Sequence, residues 1–90
     1  SCLYIYPMNM LDCHSGTKYS EIIDFLNQNK GKKIDFHFEY QGYPSWGNDD
    51  DKIGILDDEF MNWIIDYMGT ESEYREKNSA YVHKITILPQ

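Results

Sequence analysis

The amino-acid sequence predicts an α+β fold of the ferredoxin-like, split βαβ kind, with the order βαββαβ and two helices on one face of a one-sided sheet. Three observations predict it. Strand-like segments, either alternating (33–40) or rich in β-branched and aromatic residues (2–8 and 80–88), interleave with two segments whose apolar residues recur every three to four positions (17–31 and 56–69). The alternation in 33–40 leaves one polar face, so helices are expected on the other side only. Ninety residues supply one hydrophobic core rather than two, and residues 1–90 are expected to form a single compact domain. If the short segment 52–56 is not a strand, the order reduces to the alternative, a three-stranded parallel βαβαβ sheet.

The elements follow in order. "CLYIYPM" is a strand stopped by Pro7, and "NMLDCHSG" reads as a loop. "TKYSEIIDFLNQNKG" sets Tyr19, Ile22, Ile23 and Leu26 on one helical face, with Ser15 or Thr17 to cap its start and Gly31 to end it. In "KKIDFHFEYQ", Ile34, Phe36, Phe38 and Tyr40 alternate with Lys33, Asp35, His37 and Glu39. That is a strand with one dry face and one wet face. "GYPSWGNDD" carries turn residues, and "KIGIL" is a short strand weakened by Gly54.

"LDDEFMNWIIDYMG" places Phe60, Trp63, Ile64, Tyr67 and Met68 in an apolar stripe, with Asp57 as N-cap and Leu56 positioned to staple against Met61. "TESEYREK" repeats the capping-box spacing from Thr70 to Glu73, enough for a short extra helix. "AYVHKITIL" closes the fold as a strand stopped by Pro89. The expected core is Ile22, Leu26, Phe36, Phe38, Trp63, Ile64, Ile85 and Ile87.

The chain carries a net charge of −7, and the charge is uneven. Through Tyr40 there are five acids against four bases, and from Gln41 onward ten against four. Phosphate binding needs clustered Lys and Arg, so neither nucleic acid nor an anionic membrane is expected as a direct partner. No apolar run is long enough to span a bilayer. Two cysteines, Cys2 and Cys13, are too few for a disulfide scaffold, and a cytoplasmic setting with free thiols is the expectation.

"GNDDDKIGILDDEF" concentrates the acids. Asp57, Asp58 and Glu59 suit the first turn of a helix, where exposed N–H groups favour negative charge. Asp49, Asp50 and Asp51, read as a solvated loop, exceed what capping or solubility requires. As a calcium loop the segment fails, because Ile53 and Phe60 fall where oxygen ligands are needed. No cofactor or metal is expected. Asp35, His37 and Glu39 project from one strand face about 6.6 Å apart successively. They form the alternative site of a small enzyme or ligand-binding domain, with His14 and His83 able to add donors. Cys13 and His14 are adjacent in a loop, which seldom brings a base onto a nucleophile.

"LYIYPM" resembles the RNP2 strand of RNA-recognition modules through Tyr4 and Tyr6, but no RNP1 segment accompanies it. In size, acidity and mixed strand-helix order the chain is similar to the barstar type of nuclease inhibitor, and no motif lines up residue by residue. The reading that follows is a small acidic inhibitor rather than an enzyme. Its partner would be a basic protein that acts on nucleic acid, as for an immunity or phage-type anti-defence protein. The expected contact residues are Tyr43, Trp46, Asp49, Asp50, Asp51, Asp57, Asp58 and Glu59. Self-association of the exposed sheet into a homodimer is a further class.

Overall fold

A computed structural model describes residues 9–13, 17–40, 48–77 and 81–89. Its elements are β1 (Met10–Asp12), α1 (Tyr19–Gln28), β2 (Lys33–Tyr40), β3 (Asn48–Ile55), α2 (Asp58–Met68), α3 (Glu71–Lys77) and β4 (Tyr81–Ile87). The four strands form one sheet in the order β1-β4-β2-β3, and every pairing is antiparallel. The α+β class holds, and the parallel βαβαβ alternative does not.

The strand order differs from that of a simple split βαβ. The ferredoxin-like plan puts its first and third strands at the centre, whereas here β2 and β4 occupy it. The reason lies in what each strand can bury. β2 contributes Ile34, Phe36 and Phe38, all buried, so it gains most from neighbours on both edges. β1 is three residues long and partly buries only Leu11, which suits an edge. It also lies within the segment read as a loop, and the expected first strand at 2–8 falls outside the described residues.

The helices begin and end for local reasons. The Asp57 carboxylate accepts the Phe60 N–H at 2.8 Å, capping α2, and Gly69 closes that helix at φ 77°. Thr70 and Glu73 form the reciprocal box that starts α3. The N-cap of α1 is Lys18 rather than Ser15 or Thr17, and the Glu21 carboxylate accepts the Lys18 N–H. Just past the end of α1, Lys30 pairs with Asp58 at 2.6 Å, while the Asn29 side-chain amide donates to the Phe25 carbonyl.

The core lies between the helices and one face of the sheet. Ile22 and Leu26 of α1, Phe60, Met61, Ile64 and Met68 of α2, and Leu56 meet Ile34, Phe36, Phe38, Val82 and Ile85. Six of the expected core residues are buried, and Ile87 is half-buried. Trp63 is the correction, at 37% exposure. It sits on the rim of the α2 stripe, stacked on Tyr67 at an interplanar angle of 8°, with the Lys52 ammonium 5.1 Å from its ring. Tyr67 ties the far ends of β2 and β4 together: its hydroxyl donates to the Glu39 carbonyl and accepts the Tyr81 N–H.

Candidate functional site

Residues directly opposite one another on paired strands share a face. Across β2 and β3 the register sets Glu39 against Asp49, His37 against Asp51 and Asp35 against Ile53. The helices cover the other face, so these side chains stand on the open one. The acidic triplet is therefore strand, not the loop read from sequence. Aspartate is a poor strand former, but here pairing with all eight residues of β2 overrides propensity. Asp49 and Asp51 meet His37 of the facing strand.

A bulge brings in a second histidine. His37 lies opposite Lys84 but Phe38 opposite Val82, so β4 carries one extra residue, His83. Strict alternation would turn His83 toward the helices with Ile85. The bulge restores Val82 to the core and leaves His83 on the open face, its ring centroid 5.3 Å from that of His37 and 4.8 Å from that of Tyr81.

The result is a cluster of two imidazoles and four carboxyl groups drawn from three adjacent strands. His37 Nδ1 lies 2.6 Å from Asp51 Oδ1, and His37 Nε2 lies 3.4 Å from Asp49 Oδ2. His83 Nε2 lies 3.2 Å from Asp49 Oδ1 and 3.4 Å from Glu39 Oε1. The Asp51 hydrogen bond holds His37 above its ordinary pKa, and His37 in turn lowers Asp51. Burial raises the Asp35 carboxyl, and its hydrogen bond to Asp51 raises it further. Of that carboxyl pair, Asp35 therefore holds a proton to higher pH than Asp51 does. Chemically, the face can hold a cation or pass a proton along Asp35, Asp51 and His37.

The structure scatters the other expected contact residues. Tyr43 and Trp46 lie outside the described residues. Asp50 is on the helix side of β3, exposed at its outer margin, with its carboxylate accepting the Asp51 N–H. Asp57 is occupied as the α2 cap, and Asp58 by Lys30, which lowers its pKa. Glu59 is exposed beside Trp63, Phe60 and Lys52 along the groove between β3 and α2. Burial pushes the Cys13 thiol up to about 12, with Asp12 and Glu21 adding to it, so it is no nucleophile at neutral pH. Cys2 and His14 lie outside the described residues.

Sequence reasoning found the His37 face but treated His83 only as an accessory donor. A signal existed: Val82 and Ile85 stand three apart in an otherwise apolar-alternating strand, a spacing that only a bulge reconciles with burial of both. No helix among the described residues is long and apolar enough to cross a membrane. No family model matches the chain, and neither a curated protein nor a solved structure is significantly similar to it.

Proposed function

We propose that the protein is not an enzyme but a small acidic inhibitor that binds a basic partner through the outer edge of β3. Its partner would be a protein whose cationic cleft acts on nucleic acid, as for an immunity or anti-defence protein. One observation supports the reading. β3 ends the sheet, and among the described residues no strand pairs with its outer side. This eight-residue edge carries Asp49, Asp50 and Asp51, then Ile53 and Ile55 at 57% and 49% exposure.

An unpaired strand edge offers backbone donors and acceptors to an extended segment, and the side chains on either side choose which segment. Three successive carboxylates favour Lys- and Arg-rich chain, as found in clefts that otherwise hold phosphate. Ile53 and Ile55 add apolar area beside them. Charge speeds encounter, and the aliphatic contact slows departure. Asp57 and Asp58 drop out of this surface because α2 and Lys30 engage them, while Glu59 remains at its margin.

The test is capture from the native host with the wild-type protein and with a variant carrying Asp50→Lys and Ile53→Lys. Asp50 lies on the other sheet face from the histidines, and Ile53 stands across from Asp35 at the margin of their cluster. The captured protein should bind nucleic acid, and added wild-type protein should displace that nucleic acid. The variant should lose both capture and displacement. Equal capture by the variant, or a captured protein with no affinity for nucleic acid, would overturn the reading.

A further inference from the structure

We infer that His83, Glu39 and Asp49, with His37 supporting Asp49 from outside, form a binding site for a divalent transition-metal ion of the zinc class. The inference does not rest on the partner-binding reading. It starts from separations that suit a shared ion better than direct hydrogen bonds. Zinc bonds of about 2.0–2.1 Å at tetrahedral angles place neighbouring donor atoms about 3.3–3.4 Å apart. His83 Nε2 lies 3.2 Å from Asp49 Oδ1 and 3.4 Å from Glu39 Oε1. One donor atom from each of Glu39, Asp49 and His83 falls within 4.8 Å of the other two.

The state of His83 points the same way. Its Nε2 is shielded from solvent and makes no hydrogen bond, although two carboxylate oxygens stand close by. A buried imidazole nitrogen without a partner is costly. An ion centred among the three groups would satisfy it together with both carboxylates, which a proton on His83 in this geometry does not.

His37 supports the ligand Asp49 from outside the donor set. Its Nδ1 is bonded to Asp51 at 2.6 Å, which turns Nε2 toward Asp49 Oδ2 at 3.4 Å. Asp51, itself hydrogen-bonded to Asp35, holds His37 in turn. The donors sit on β2, β3 and β4, and hydrogen-bonded strands fix such a constellation better than loops.

The donor set selects the ion. One imidazole nitrogen and two carboxylate oxygens, with a fourth position left for water, suit zinc and its neighbours, whereas calcium and magnesium require six or more oxygens or retained water.

The test is calorimetric titration of the metal-stripped chain with Zn2+. One equivalent should bind at micromolar affinity or tighter, undiminished by millimolar Ca2+ or Mg2+. His83→Ala and Glu39→Gln should each weaken binding at least about tenfold. His37→Gln should weaken it about 10–100-fold as an outer-support residue does. Asp50→Asn, on the other face of β3, should change nothing. Should a variant fail to fold, Co2+ bound to the wild-type chain provides an independent reading. Visible bands of a tetrahedral nitrogen–oxygen site are expected, with shifts in the His37 and His83 ring resonances. Absence of stoichiometric zinc binding, zinc held equally by His83→Ala, or cobalt binding that leaves both rings unshifted would each overturn the inference.

Discussion

The two faces of this sheet are built from alternate residues of the same strands, yet they answer to different physics. On the covered face, Phe36 and Phe38 stack at 5.5 Å and meet Trp63 and Tyr67 edge-on. What matters there is apolar area and close packing. On the open face, their immediate neighbours Asp35, His37 and Glu39 gain from specific partners across β3 and β4. A covered face tolerates no lost volume, while an open face tolerates no lost charge partner. The difference teaches that one strand can supply a core and a site at once, provided the register holds.

The largest expected effect comes from breaking the covered face. Phe36→Ala should cost about 3–5 kcal/mol, near the whole stability of a small domain, and Phe36→Leu much less. Urea denaturation of the two variants measures it. A Phe36→Ala protein with the parental midpoint would mean that the faces are assigned the wrong way round.

Trp63→Ala should cost less, about 1–2 kcal/mol. The ring is 37% exposed and contributes its stacking on Tyr67 and its contact with Lys52 rather than a filled cavity. Equal destabilisation by the Phe36 and Trp63 truncations would show that the rim packs as tightly as the centre. Asp57→Ala comes next, at about 1 kcal/mol for a lost cap, with Asp57→Asn close to neutral. A loss with Asn as large as with Ala would shift the role of Asp57 from hydrogen bonding to charge.

Much of the covered face could be read from sequence because burial leaves a periodic trace. The stripes of α1 and α2, the alternation of β2 and the caps at Asp57 and Thr70 all appear where local pattern and local structure agree. Strand order could not be read that way. Whether β1 or β4 sits beside β2 depends on how much each buries, and sequence order says nothing of this. The open face was half visible. His37 with its flanking acids stood out, but Asp49 and Asp51 looked like loop because their strand character comes entirely from pairing with β2. The His83 bulge hid for a similar reason: a register shift is a property of two strands, and only the Val82 and Ile85 spacing hinted at it.

The smallest expected effect is also the one that separates the faces most cleanly, because His37, with its raised pKa, lies on the open face. His37 faces Asp51 and Asp49 from β3 and lies beside Asp35 on its own strand and His83 and Lys84 on β4. Its pKa is raised in the folded state, chiefly by the Asp51 hydrogen bond. The folded protein therefore binds the His37 proton more tightly than the unfolded chain does. The stabilisation is fully present below about pH 6.5, the unfolded value, and is lost as pH rises through the higher folded value. Asp35, also raised, acts in the same sense at lower pH, adding stability that is lost as pH climbs through its folded pKa above 3.8. Asp51, lowered from 3.8, opposes it, because its contribution disappears as pH falls through its depressed pKa. For the metal-free chain, Tm should decline modestly from pH 6 to pH 8, and His37→Gln should flatten that decline. Phe36→Leu should lower Tm at every pH while leaving its slope intact. A wild-type Tm that is flat or rising over this interval would show that the folded protein gains nothing from the His37 proton, and the open face would then be a set of solvated side chains rather than a charge-coupled cluster.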